Sequence, residues 1–187
     1  MITAATRLPT PRFRWRSLLG LSVTLFLAWG LLNAALAIYV PYTLHTGSVS
    51  AVGSLSPGGL VVSAEADEAL LGRTFASIDA GDPRLATYLV AFMDTMCAQM
   101  MGFAIAYIGV VWFGLRRGQG WALVVAAVSG VVAFVYYLPI FSLYTRMSVQ
   151  TGSFAAFLAV PAIALGVATV LGWIGLGRQR RPGGTSA

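Results

Sequence analysis

Asp94 lies within a strongly hydrophobic stretch, Pro83 to Leu115, in which it is the only acidic residue. A carboxylate near the middle of a membrane costs roughly 2.5–3.5 kcal/mol, so an acidic residue at that depth usually serves a function. If Asp94 is enclosed, it could act as general acid or base on a lipophilic substrate. If it lies at headgroup depth, it is a solvated charge, and a buried pair with Arg84 or Arg146 is the third interpretation.

Sulfur-containing residues surround this carboxylate. Met93, Met96, Met100 and Met101 are four of the six methionines, and Cys97 among them is the only cysteine, which excludes an internal disulfide and a CxxC redox pair. Helical spacing puts Met93, Cys97 and Met100 on one face. Thioether and thiolate ligands select Cu(I), so a copper site is one interpretation. Methionine also forms adaptable apolar surface, and we favour a pocket without metal or cofactor.

Further polar residues fall at a similar depth in the other hydrophobic segments. Counting 1.5 Å per residue from the arginine-flanked ends places Asn33, Gln99 and Tyr136 each about 22–24 Å above those ends. This layer predicts an outward-facing pocket for a hydrophobic small molecule or lipid. The predicted ligand-binding residues are Asn33, Met93, Met96, Cys97, Gln99, Met100, Tyr136 and Tyr137.

Four apolar segments are long enough to position these residues across a bilayer. The chain has 187 residues, of which 58% are hydrophobic and 10% charged, a composition far too apolar for an average soluble domain. The predicted membrane domain covers 18–176, between a basic arm (1–17) and a basic tail (177–187). Its four spans are about 18–40, 84–115, 121–144 and 154–176. Short second and third connections predict an all-α, up-and-down four-helix bundle of an integral membrane protein.

The long first outer loop, 41–83, predicts secondary structure of its own. Ala64 to about Ser77 reads as an amphipathic helix, which we expect over the mouth of the bundle, because Leu70, Leu71 and Phe75 recur at helical spacing. The alternative is a solvated connector. At the end of the loop, Asp82 is a predicted N-cap and Pro83 the first residue of the next helix.

The arginines predict orientation and partners. All twelve basic residues are arginine, and nine of them lie in the arm, the turn at Arg116 and Arg117, and the tail. By the positive-inside rule both termini of this multi-pass protein face the cytoplasm, with membrane lipids as partners. Nucleic acid is not expected as a partner, since the aromatic residues lie in apolar runs and not among the basic ones.

Small residues on two spans predict close helix packing. Ala98, Gly102 and Ala106 form a ridge on the second span, and Gly30 with Ala34 forms another on the first, so either ridge could receive a helix of this chain or of a partner. His45 is the only histidine. It therefore lacks the second histidine of a bis-histidine haem site.

The segment from Val111 to Leu123 joins a helix, the basic turn of Arg116 and Arg117, and a helix that begins at Trp121. It resembles the corresponding part of small four-helix bacterial inner-membrane proteins, which implies a cell-membrane location. Four spans with a helical first outer loop are also similar to the vitamin K epoxide reductase family. The redox cysteines of that family are absent, which excludes its function.

Three functions are consistent with the sequence. The first is binding of a hydrophobic small molecule or lipid in the predicted pocket. The second is a membrane enzyme, of isomerase or cyclase type, that uses Asp94 as catalytic general acid or base on a lipophilic substrate. The third is an accessory subunit of a larger membrane complex.

Overall fold

A computed structural model of the chain describes residues 13–46, 64–148 and 152–180. The first part of the basic arm, the Gly- and Ser-rich half of the first outer loop, and the end of the basic tail lie outside the described residues. The order of helices is α1 (Leu18–Thr46), α2 (Ala64–Leu71), α3 (Phe75–Gly81), α4 (Pro83–Gly109), α5 (Gly120–Arg146) and α6 (Gly152–Arg180). After α4 the chain continues through a π-helical turn (Val110–Gly114) and a 3₁₀ turn (Leu115–Arg117).

Four of these helices are long and apolar enough to cross a membrane. They are Leu18–Thr46, Pro83–Arg117, Gly120–Arg146 and Leu158–Gln179. The predictions of an all-α fold with four helices and of a multi-pass membrane protein are confirmed at this level. The helices α1, α5 and α6 run beyond the predicted spans, and each continues through an internal proline.

The second half of the outer loop forms two short helices where the sequence predicts one. The break is at Gly72, whose φ of +71° lies in the left-handed region that favours glycine. Thr74 then caps α3, because its Oγ1 accepts the Ser77 N–H at 3.1 Å. The predicted start of α4 is confirmed: Asp82 Oδ1 accepts the Leu85 N–H at 3.1 Å, and Pro83 follows in the first turn.

Helix α1 is the centre of the bundle, since it packs along both α4 and α6. Helix α5 packs against α6 and against the π and 3₁₀ turns that follow α4. The buried core belongs to the half of the bundle at the start of α1, the turn after α4 and the end of α6, called here the arginine-rich end. Its members are Leu19, Val23, Phe26, Tyr107, Val111, Leu115, Ala122, Leu123, Ala126, Leu165, Ala168 and Leu176.

Two contacts fix how α1 and α4 align. A Cβ added to Gly30 would lie 2.7 Å from Ile108 Cγ1, and His45 Nε2 lies 2.9 Å from Asp94 Oδ2. His45 is about 22 Å along α1 from Gly30, and Asp94 is about 21 Å along α4 from Ile108. The two helices are therefore antiparallel neighbours over this whole length. The other end of the bundle, with α2, α3 and the start of α4, is called here the acidic end.

Candidate functional site

An apolar groove of about 380 Å³ lies between α1 and α6. Residues spaced by three or four positions line it, as expected for one face of each helix. Small alanine side chains from both helices leave room between the larger ones. The lining residues are Leu25, Ala28, Trp29 and Leu32 of α1, and Val160, Pro161, Ala164 and Leu165 of α6.

Trp29 is the one lining residue of the groove with a polar side-chain atom. Its ring stacks on Phe134 of α5, with the ring centroids 5.4 Å apart. Its Nε1 is buried and has no hydrogen-bond partner within the described part of the chain. A buried donor without an acceptor costs about 1–3 kcal/mol.

Asn33 lies one turn beyond Trp29 on α1. Its side chain is buried, and Nδ2 donates to the Trp29 carbonyl oxygen at 2.8 Å. This bond satisfies an amide in an apolar helix and fixes the side chain against its own backbone. Among the predicted ligand-binding residues, Asn33 is thus placed beside the groove.

Asp94 forms a pair with His45 at the acidic end. His45 Nε2 and Asp94 Oδ2 are 2.9 Å apart, and the side chains are 58% and 39% exposed. The other carboxylate oxygen, Oδ1, is buried and has no partner among the described residues. His45 lies in the last turn of α1. Asp94 is therefore half-buried beside a histidine, and its salt bridge is not with the predicted arginines.

The sequence missed this pair because α1 was predicted to end near Val40. His45 then fell in the loop, where it was considered only as a haem ligand. A helix that continues to Thr46 puts His45 level with Asp94. The sequence signal for this longer helix was the apolar pattern, which continues through Pro41.

The sulfur-containing residues divide between two faces of α4. Cys97 is buried and Met93 and Met100 are half-buried, whereas Met96 and Gln99 are exposed. The shared face predicted for the first three is consistent with this division. Counted from Gly30 and Ile108, Cys97 lies about 12 Å nearer the acidic end than Asn33 does.

The two predicted tyrosines of α5 also differ in exposure. Tyr136 is 75% exposed, and Tyr137 is half-buried. The eight predicted ligand-binding residues are therefore not gathered at one depth and on inward faces. Asn33 is near the groove, Met93, Cys97 and Met100 are near the His45–Asp94 pair, and the others are exposed or on α5.

A second polar pair joins the loop to the bundle at the acidic end. Tyr144 OH donates to Asp67 Oδ1 at 2.5 Å, and the two residues are 1% and 5% exposed. The sequence suggested no such pair. The spacing of residues could have indicated the buried position of Asp67. Asp67 precedes Leu70 and Leu71 by three and four residues, so it shares the apolar face of α2.

Of the predicted small-residue ridges, the one on α1 is used within this chain. Gly30 is in close contact with Ile108 of α4. Ala98, Gly102 and Ala106 are exposed, and no described atom lies within 4 Å of a Cβ added to Gly102. The α4 ridge therefore takes no part in the packing of the described helices.

Comparisons with protein-family models, with curated proteins and with solved structures find no match for this chain. Its function is therefore inferred from the groove, the two polar pairs and the distribution of charge.

Proposed function

We propose that this protein is membrane-embedded and binds a hydrophobic small molecule or lipid in the groove between α1 and α6. The observation that carries the proposal is the groove itself, an apolar space of about 380 Å³ shared by two candidate membrane spans. Ligand sites in proteins are typically concave, mostly apolar and about 300–1,000 Å³ in volume.

The depth of the groove favours an occupant with a hydrocarbon chain. Leu25 and Leu32 lie about 10 and 21 Å along α1 from Leu18. If Leu18 is at the membrane boundary, both fall within the ~30 Å hydrocarbon layer. A molecule there is surrounded by acyl chains on its open side. Its contacts with protein come from leucine, alanine, valine and proline side chains and from Trp29.

The enzyme alternative has one observation in its favour, the His45–Asp94 pair. Histidine is the usual proton carrier near neutral pH, and a carboxylate can hold its ring in position. Both side chains are substantially exposed, however, at 58% and 39%. An acid–base site for a lipophilic substrate works best where water is excluded, and the groove meets that condition better. The geometry therefore supports binding more strongly than catalysis.

The test is to fill the groove without changing the rest of the bundle. Ala164→Phe places a large ring among the lining residues, and Ala162→Phe is the matched control, because Ala162 is exposed on the same helix and does not line the groove. After extraction in mild detergent, native mass spectrometry measures the bound lipid. We expect Ala164→Phe to retain about tenfold less, which corresponds to about 1.4 kcal/mol. Equal retention in the two variants would refute the proposal.

A further inference from the structure

A second cavity lies at the arginine-rich end, between the start of α1 and the end of α6. Its volume is about 430 Å³. Basic and polar side chains form one part of its wall, and apolar residues form the part nearer the bundle. The lining residues are Arg16, Ser17, Leu18 and Leu19 of the α1 side, and Gly175, Arg178 and Gln179 of α6.

The two arginines of this cavity are far in sequence from every acidic side chain. All six acidic residues lie between Glu65 and Asp94, in the loop helices and the first half of α4. Within the described ranges, neither Arg16 nor Arg178 forms a salt bridge, since the one salt bridge there is His45–Asp94. Both arginines line the cavity, so an anion bound there would lie beside two basic side chains.

Other arginines at this end are engaged differently. The Arg116 guanidinium lies 4.4 Å from the centre of the Trp112 ring, with Phe13 and Trp15 at 5.7 and 5.9 Å. Arg117 lies over the Phe113 ring at 5.9 Å. These contacts hold the basic turn by cation–π attraction. Among the described arginines of this end, Arg16 and Arg178 are the two that line the cavity.

The cavity lies on the same faces of α1 and α6 as the apolar groove. Five full turns of an α-helix contain eighteen residues, which is the separation of Val160 from Arg178 and of Pro161 from Gln179. On α1, Leu18 precedes Leu25 by about two turns. The distance from Leu18 to Leu25 is about 10 Å along the axis. Between the two sites the helices are in close contact, since the buried Ser22 Oγ donates to the Ala168 carbonyl oxygen at 2.7 Å. Cavity and groove therefore lie in line along one seam of these helices, and a chain that joins them passes over this contact along the exposed Leu21 side chain.

We propose that the molecule bound in the seam is an anionic phospholipid, with its phosphate between Arg16 and Arg178 and an acyl chain in the groove. This inference rests on the proposed function and names the class of ligand. Arginine presents a planar fork of donors that matches phosphate oxygens. Leu18, which is half-buried beside the arginines, contacts the first part of the chain. The order of contacts, charged and then apolar, matches the order of groups in a phospholipid.

The test measures the preference for an anionic headgroup. Delipidated protein in detergent is titrated with phosphatidylglycerol and with phosphatidylcholine of the same acyl chains, and native mass spectrometry counts the bound lipid. We expect phosphatidylglycerol to bind about tenfold more tightly, a difference of about 1.4 kcal/mol. Arg16→Gln with Arg178→Gln should remove this preference.

The matched control removes the same charge elsewhere at this end. Arg14→Gln with Arg117→Gln changes two exposed arginines that do not line the cavity, and it should keep the preference. Glycerol 3-phosphate, which has no acyl chain, tests whether free phosphate compounds are the ligand. It should compete only at concentrations far above that of the lipid.

The outcomes separate this inference from the proposed function. If the Arg16/Arg178 variant keeps the preference, or if glycerol 3-phosphate competes as well as the lipid, the phospholipid is refuted while the groove stands. If Ala164→Phe binds both lipids as the unmodified protein does, the groove is refuted, and the proposed function fails with it. Loss of preference in the arginine variant, together with weaker binding of both lipids by Ala164→Phe, supports the seam.

Discussion

The two ends of this bundle are held together by different kinds of contact. At the arginine-rich end glycines let the helices pack closely: a Cβ on Gly175 would lie 2.7 Å from Leu19 N, and one on Gly114 would lie 2.6 Å from Ala122 Cβ. At the acidic end the described contacts include two polar pairs, His45–Asp94 and Asp67–Tyr144. The first end combines this close packing with two buried hydrogen bonds to backbone, from Ser22 Oγ to the Ala168 carbonyl oxygen at 2.7 Å and from Tyr107 OH to the Ala126 carbonyl oxygen at 3.2 Å. The second end differs in that its hydrogen bonds join pairs of polar side chains.

The strength expected of each contact depends on its environment and its burial. Within hydrocarbon, apolar side chains gain little by leaving lipid for protein, so close packing of small residues stabilises the contact. Near the membrane boundary, water competes for polar groups, and a pair is strong only where it is buried. The Asp67–Tyr144 pair is buried and the His45–Asp94 pair is not. This predicts a graded series of effects on stability.

The largest effect is expected where a side chain would meet backbone. Gly175→Ala puts a methyl group against Leu19 N and Cα, at 2.7 and 3.0 Å, and these atoms cannot rotate away. Overpacking of this kind costs about 1–3 kcal/mol, and we expect the upper part of that range. The measurement is the free energy of unfolding in detergent micelles.

Gly166→Ala is the control for that substitution. It lies on the same helix, and no described atom lies within 4 Å of its added Cβ. Alanine favours a helix over glycine by up to about 1 kcal/mol, so this variant should be as stable as the unmodified protein or slightly more so. If both glycine variants lose the same stability, close packing does not distinguish the arginine-rich end.

A smaller effect is expected at the buried pair of the acidic end. Tyr144→Phe removes the hydroxyl that donates to Asp67. Asp67 has a further interaction, which this variant leaves in place. Loss of one hydrogen bond to a buried carboxylate should cost about 1–2 kcal/mol. It should also free α2 from α5, which amide hydrogen exchange in residues 64–71 would detect as faster exchange.

Tyr136→Phe is the control, because it removes a tyrosine hydroxyl that is not part of the Asp67–Tyr144 bond. Tyr136 is on the same helix and 75% exposed. Its variant should change neither stability nor exchange. Should Tyr144→Phe behave like Tyr136→Phe, the Asp67–Tyr144 bond does not hold the loop helices on the bundle.

The four long helices could be predicted from the sequence because apolar length and flanking arginines are local signals. The cap of α4 was predictable for the same reason, since Asp82 and Pro83 are adjacent. The break between α2 and α3 was not, because a single glycine with positive φ leaves no periodic trace. Nothing in the spacing of Leu70 and Phe75 shows that Gly72 separates them.

Relative heights of residues on different helices were predicted less well. Counting from the arginine-flanked ends assumes that all helices start at one level and end at the predicted boundaries. The contact of Gly30 with Ile108 shows that α1 and α4 are offset, and this moves Asn33 away from Cys97. The groove depends on how the side chains of two helices pack against each other. Nothing in the sequence distinguishes its lining residues Ala28 and Ala164 from other alanines in the spans.

The smallest effect is expected at the exposed pair. A double-mutant cycle with His45→Gln and Asp94→Asn should give a coupling energy of about 0–1 kcal/mol, since exposed ion pairs gain little in water. The coupling should fall further as salt is raised from 0.01 M, where the screening length is about 30 Å, to 1 M, where it is about 3 Å. Asp79→Asn in place of Asp94→Asn gives the control cycle, because Asp79 is exposed on α3. That cycle should give no coupling.

A His45–Asp94 coupling above about 2 kcal/mol that salt leaves unchanged would mean that the pair is shielded from water. Both polar pairs of the acidic end would then be shielded from water, and the exposure that weighs against acid–base catalysis by Asp94 would no longer apply.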